Sequence, residues 1–319
     1  MKGVLIGSHE RIGEGWLTGT TVVLVPKGAT GGVDVRGGGP GTHETDLLAP
    51  HNAVEKVHAV VLTGGSSYGL ASVAGVMDWL AERGIGYAVG SKAHEVVPIV
   101  PGAVVFDLGR GGAFEKRPSA SFGYQACEAA AEGPVRTGNT GAGAGAVAGG
   151  LKGGLGHAVT MLEDGIEIEV VVAVNAVGDC VCRKTGRLYG SDTADLRVAL
   201  PDEIAALPGP HAMPLATTIG VVLTNVSLTK AQAQKVSGIA HDGMARAIRP
   251  VHTMFDGDSV FTLATGVLPA PGPQQYHALL TAAADTFQRA VVDAMLAAES
   301  VGPFLAYRDV VPSLTPSRG

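Results

Sequence analysis

Met213-Pro214-Leu215-Ala216-Thr217-Thr218-Ile219-Gly220-Val221-Val222-Leu223-Thr224-Asn225 is the stretch whose reading decides the fold. From Thr217 onward it is β-branched and apolar, and reads as a buried strand that begins on a hydroxyl residue. Upstream, Pro201, Pro208, Gly209 and Pro210 mark a connector of the kind that is exposed and open to cutting. A cut before Thr217 would give one residue both a nucleophile and a base, because a new α-amine titrates near pH ~8 beside its own hydroxyl. Before the cut, the same Oγ could attack the Ala216 carbonyl and form an ester that water opens. The plainer alternative is that Thr217 and Thr218 are ordinary β-branched residues opening a strand. The segment alone leaves both readings open.

Outward from this stretch, 319 residues allow one large or two ordinary domains, and no shift in composition argues for two. With 47 glycines and only 5% aromatic residues, close backbone approach carries much of the packing. The net charge of −6 and dispersed basic residues exclude a nucleic-acid footprint. The apolar run after Lys2 is too short for a signal-peptide core, and no run approaches the ~18 apolar residues of a membrane span. A cytoplasmic protein with no membrane partner is expected. Cys127, Cys180 and Cys182 suggest neither a disulfide framework nor a zinc site. His43, Glu44 and Asp46 form the densest group of candidate metal ligands, but a solvated polar loop explains them more simply.

Short strands are predicted at Val4–Ile6 and Thr20–Val25, then a flexible glycine-rich loop from Arg36 to Thr42. A strand at His58–Leu62 leads into a helix over Ser67–Arg83, and a strand at Ala103–Phe106 precedes a helix over Ser119–Glu132. Gly156–Leu162 and Ile166–Asn175 pair as a hairpin across Glu163-Asp164-Gly165. Residues 185–210 read as irregular. Thr229 caps a helix running from Lys230 to about Ile248; Ser259–Thr265 is the last strand, and Gln274–Glu299 the last helix.

Two motifs compete with Thr217. Gly65-Ser66-Ser67-Tyr68-Gly69 satisfies G-x-S-x-G in a strand-turn-helix setting, which would make Ser67 a hydrolase nucleophile. Such a serine needs an acid and a histidine downstream, and no local pattern selects among Asp107, Asp179, His241 and His252; Ser66 and Ser67 are also good helix caps. The run Gly138-Asn139-Thr140-Gly141-Ala142-Gly143-Ala144-Gly145 invites a nucleotide-binding reading. It lacks a clear βαβ context and the Gly-Lys-Ser/Thr of a P-loop, so close packing of small residues accounts for it better.

The order Thr217-Thr218-Ile219-Gly220-Val221-Val222-Leu223-Thr224-Asn225, then Arg249-Pro250-Val251-His252-Thr253, Asp256-Gly257-Asp258 and Phe261-Thr262-Leu263-Ala264-Thr265-Gly266, resembles the autoprocessing L-aminopeptidase/D-amidase-esterase family, which includes the nylon-oligomer endohydrolases. The likeness covers nearly the whole chain. It implies an α+β fold, a four-layer αββα sandwich with two central sheets of the N-terminal-nucleophile-hydrolase kind; the grouping of hairpins and helices fits this too. It also implies one domain, 1–319, that cuts itself into an α fragment, 1–216, and a β fragment, 217–319. Ala216 stands where related sequences carry Asn or Gly; the attacked atom is a backbone carbonyl, so Ala is chemically admissible.

By the same resemblance Thr217 is the nucleophile of an amide or peptide hydrolase. Lys152, in Lys152-Gly153-Gly154, is catalytic; Asn175 donates to the oxyanion; Asp256 and Asp258 organise proton transfer; and Tyr124 contacts substrate. From the residues alone each has a plainer role: a turn lysine, a turn asparagine, an Asp-Gly turn and a packed tyrosine. No metal or organic cofactor is called for, the partner is a small-molecule or peptide amide, and αβ units assemble into homo-oligomers. Three rivals stand: acyl transfer by the same threonine, as in ornithine acetyltransferases; a Ser67 hydrolase; and an uncut, non-catalytic scaffold.

Overall fold

The computed structural model describes residues 1–191, 197–209 and 215–315. Its strands are β1 (Leu5–Gly13), β2 (Trp16–Val35), β3 (Thr42–His43), β4 (Lys56–Thr63), β5 (Tyr87–Ala88), β6 (Val96–Val97), β7 (Gly102–Val104), β8 (Val147–Ala148), β9 (Leu151–Lys152), β10 (Gly154–Met161), β11 (Glu167–Val174), β12 (Ile219–Val226) and β13 (Ser259–Leu268). The helices are α1 (Ala71–Ala81), α2 (Ala120–Glu128), α3 (Pro201–Ala206), α4 (Lys230–Ala247), α5 (Pro273–Ala297) and α6 (Tyr307–Val310).

Alternation along the strands builds the layers, because successive side chains point to opposite faces. In β11, Val170, Val172 and Val174 pack with Val236, Met244, Phe287 and Val291 of α4 and α5. The intervening Val171 and Ala173 pack instead with Val60 and Leu62 of β4 and Val23 of β2. On the far side of that second sheet, Val22, Leu24, Ala59 and Val61 meet Val73, Val76 and Leu80 of α1 and Ala126 of α2. The result is helix, sheet, sheet, helix, with the central strands β11 and β12 buried on both faces and therefore largely apolar.

The two sheets are not separate. β2 runs for twenty residues, pairing early with β1 and β4 and late with β13, so hydrogen bonding continues through a nine-stranded path β10-β11-β12-β13-β2-β4-β7-β3 with β1 alongside. The sequence reading covers only Thr20–Val25 of this strand. In the structure the register slips between Leu24 and Ala29, and the strand bends there to pass from one sheet to the other.

α4 and α5 lie close to prediction. Thr229 caps α4, its Oγ1 accepting from Gln232 N at 3.2 Å while Gln232 Oε1 accepts from Thr229 N at 3.0 Å. The expected helix at Ser67 begins as a tight 3-10 turn over Ser66–Leu70, and the α-helix proper starts at Ala71. The region 185–210 is not wholly irregular: Pro201 occupies the first turn of α3, where a missing N–H costs nothing. Pro210, Met213 and Pro214 lie outside the described residues. The central strand of the quoted stretch starts at Ile219, with Thr217 and Thr218 leading into it.

Candidate active site

Parallel pairing of β12 with β13 and antiparallel pairing with β11 extend beyond the strand ends and seize the chain before Ile219. Thr217 N donates to Asn175 O at 2.6 Å, and Gly257 N donates to Ala216 O at 3.1 Å. Ala216 also forms a parallel bridge with Asp256. The Ala216–Thr217 peptide is thus held at both polar ends by main chain. Thr217 is buried, and its Oγ1 donates to Ala216 O at 2.5 Å.

Asn175 follows the last residue of β11 and is wholly buried. Its Oδ1 accepts from Val147 N at 3.0 Å and from the Arg110 guanidinium, and its Nδ2 donates to Phe106 O at 3.3 Å. Arg110 donates to Gly145 O as well, at 2.7 Å. Two acceptor bonds therefore fix which end of the Asn175 amide faces Phe106, a residue of the cleft wall.

Lys152 is buried because it sits on β9, returned from β8 by a two-residue turn in which Gly149 (φ 56) and Gly150 (φ 90) are both left-handed. That turn geometry matches the twist of a tight hairpin and suits glycine at both positions. Nζ donates to Gly143 O at 2.9 Å and Gly153 O at 2.7 Å, and neither bond goes to Thr217. The glycine-rich run thus supplies a carbonyl to the lysine. Burial, with the neighbouring Arg110 cation, lowers the Lys152 ammonium to about 7 against a smaller pull from Asp107. Burial likewise lowers Arg110 to about 10 and raises the Asp107 carboxyl, whose Oδ1 accepts from Gly65 N at 2.6 Å.

Asp256 and Asp258 are both buried but face different partners. Asp256 Oδ2 accepts from Thr253 N at 2.8 Å and Thr253 Oγ1 at 2.6 Å. Asp258 Oδ1 accepts from Thr218 N at 2.8 Å, while its Oδ2 pairs with His252 N at 3.0 Å and His252 Nδ1 at 2.8 Å. Burial raises the Asp256 carboxyl above its ordinary range, and the charge on Asp258 adds to this against the bonds from Thr253. Neither carboxylate is hydrogen-bonded to the Thr217 hydroxyl in this uncut chain.

A cleft of about 150 Å³ opens onto Thr217 and Ala216, walled by Gly39, Pro40, Val104, Phe106, Leu215 and Phe255. The loop expected at 36–42 forms one side, pinned by Gly39 N to Asp256 O at 2.8 Å. Ser67 stands exposed on the same cleft, and among the described residues no histidine is bonded to it. Tyr124 does not reach the cleft: it lies in the outer helical layer, where its hydroxyl donates to Glu82 at 2.8 Å. His43 and Glu44 bond to the main chain of Val100, at 3.1 Å each, and so tie a loop to its neighbour.

The sequence reading missed three residues here. Arg110 stands between Gly109 and Gly111-Gly112, a setting that by itself signals only a turn. His252 and Thr253 stood in a quoted motif, but nothing in the sequence said that each would bond one of the two aspartates.

The profile described as Peptidase family S58 matches residues 1–305. The chain belongs to that family. It is 46% identical to an uncharacterized aminopeptidase of Mycobacterium leprae, across 98% of this chain and 93% of the relative. It is 32% identical to a 6-aminohexanoate-oligomer endohydrolase of a Kocuria strain, across 84% of this chain and 75% of that protein. In fold it matches the L-aminopeptidase D-Ala-esterase/amidase of Ochrobactrum anthropi, described as a variant of the Ntn hydrolase fold, with a TM-score of 0.73 at 21% identity over 95% of this chain and 86% of the other. The αββα layering read from the sequence is therefore also that of a solved peptidase structure.

Proposed function

We propose that this S58 chain is an amide or peptide hydrolase whose nucleophile, Thr217, is released by self-cleavage after Ala216 into fragments 1–216 and 217–319. The observation that carries the reading is the 2.5 Å hydrogen bond from Thr217 Oγ1 to the carbonyl of its own preceding peptide, itself held between Asn175 and Gly257. The relatives named as an aminopeptidase and an oligomer endohydrolase support amide chemistry.

In this proposal the freed Thr217 amine acts as base for its own hydroxyl, which attacks the substrate carbonyl. Asn175 Nδ2, oriented by Arg110, donates to the oxyanion in place of its long bond to Phe106. Arg110, a cation bonded to Asn175, and the protonated form of the buried Lys152 favour the uncharged form of the amine. Asp256 and Asp258, anchored by Thr253 and His252, take up and return protons around the Thr217–Thr218 main chain. An acyl-threonine ester forms, and water releases it.

The test compares wild type, Thr217→Ser, Thr217→Val and Ser67→Ala by denaturing electrophoresis, N-terminal sequencing and turnover of an alanine p-nitroanilide. Wild type, Thr217→Ser and Ser67→Ala should yield a smaller fragment beginning at residue 217 and hydrolyse the anilide; Thr217→Val should do neither. Full turnover by Thr217→Val, or its loss in Ser67→Ala alone, would hand the nucleophile to Ser67. A permanent single band at 32.2 kDa without turnover would leave the scaffold reading.

A further inference from the structure

We infer that the main-chain N–H of Gly257 is the oxyanion donor for scission of the Ala216–Thr217 peptide, a catalytic group separate from Asn175. The inference rests on the self-cleavage reading.

Among the described residues two donors meet the Ala216 oxygen: Thr217 Oγ1 at 2.5 Å and Gly257 N at 3.1 Å. The first cannot stabilise the charge that its own attack creates. As Oγ1 bonds to the Ala216 carbon, its proton leaves, the carbonyl oxygen becomes anionic, and one fixed donor remains. The groups proposed for substrate turnover point elsewhere in the uncut chain. Asn175 Nδ2 donates to Phe106 O, and Lys152 Nζ donates to Gly143 and Gly153. Asp256 and Asp258 carry acceptors.

Collapse of the tetrahedral intermediate then breaks the bond from the Ala216 carbon to the Thr217 nitrogen. That nitrogen takes up the proton lost from the hydroxyl and becomes the free amine. Water next adds to the ester carbon, the bond to Oγ1 breaks, the hydroxyl regains a proton, and Ala216 ends as a carboxylate.

The donor is preorganised by its neighbours on both sides. Asp256 O accepts from Gly39 N at 2.8 Å, and Asp258 O accepts from Arg36 N at 3.0 Å and Gly37 N at 3.3 Å. The Asp258 carboxylate is fixed as well, by Thr218 N and His252. The residue between them has to be glycine for a reason of space. A Cβ at Gly257 would lie 2.8 Å from Thr217 Oγ1 and 2.8 Å from Gly39 O, crowding the nucleophile.

A side-chain substitution cannot remove this N–H without adding bulk, so the test is an amide-to-ester exchange. Glycolic acid is placed at position 257 of the full chain by nonsense suppression in cell-free translation, and scission is followed on denaturing gels. Loss of one oxyanion donor should slow scission about 10²–10³-fold. The matching exchange at Ser259 removes the bond from its N–H to Thr218 O, 3.2 Å long in the same strand pair, and should leave the rate near wild type. Scission of the 257 ester at the wild-type rate overturns the inference, and so does equal slowing at both positions. Those outcomes leave self-cleavage standing. A wild-type chain that never splits overturns the self-cleavage reading and this inference with it.

Discussion

Lys152 is where the electrostatics of the site become measurable. The folded chain releases its proton near 7, whereas the unfolded chain holds it up to the ordinary value of 10.5. Between those values the unfolded state binds more protons, so the contribution of Lys152 to stability rises with pH across that window and is flat below it. In a Thr217→Ala background, where the chain stays whole, the urea midpoint should climb between pH 7 and 10 relative to the same chain carrying Lys152→Met. Parallel midpoints over that range would mean that Lys152 is not desolvated as its burial requires. The sequence suggested a lysine at this position but not its environment. The environment comes from Gly149-Gly150, which fold the side chain inward, and from Arg110, about forty residues earlier in the chain. Tyr124 bonds to Glu82 in the outer helical layer, a placement that position along α2 does not disclose.

At the scale of elements, β2 and α4 show what a glycine can mean. Gly31 and Gly32 both lie within one continuous strand. A Cβ on Gly32 would fall 2.4 Å from the backbone of Ala233 and Gln234, so the bare strand is what lets α4 seat on the sheet. Gly32→Ala should therefore cost about 1–3 kcal/mol, as overpacking does, and lower the urea midpoint with an unchanged slope. An unshifted midpoint would show that α4 can slide without penalty. Strands with continuous apolar runs, such as β11 and β12, were legible because burial on both faces leaves no polar position. Helices with a capping box, such as α4, were legible at their first residue. The bend of β2 was not, since it depends on which partners its two halves meet.

For the whole molecule, the proposed cut has an unusual location. It would free the N-terminal end of β12, which lies in the middle of the sheet, between β11 from the 1–216 fragment and β13, which itself pairs with β2. The 217–319 fragment would thus keep one sheet edge against each half of the larger fragment. Ile219, Val221, Val222, Leu223 and Val226 of β12 alone are all at most 1% exposed. At about 1.5–3 kcal/mol for each buried aliphatic side chain, exposing them costs on the order of 10 kcal/mol, before counting β13, α4 and α5. On this reading the fold should survive the loss of the covalent bond once it has formed. The cleaved protein should elute from a sizing column as one species containing both fragments, at the same position as the uncut Thr217→Val chain, and part only in denaturant. Dissociation of the 217–319 fragment in native buffer would show that the ladder around β12 does not survive the loss of the Ala216–Thr217 peptide.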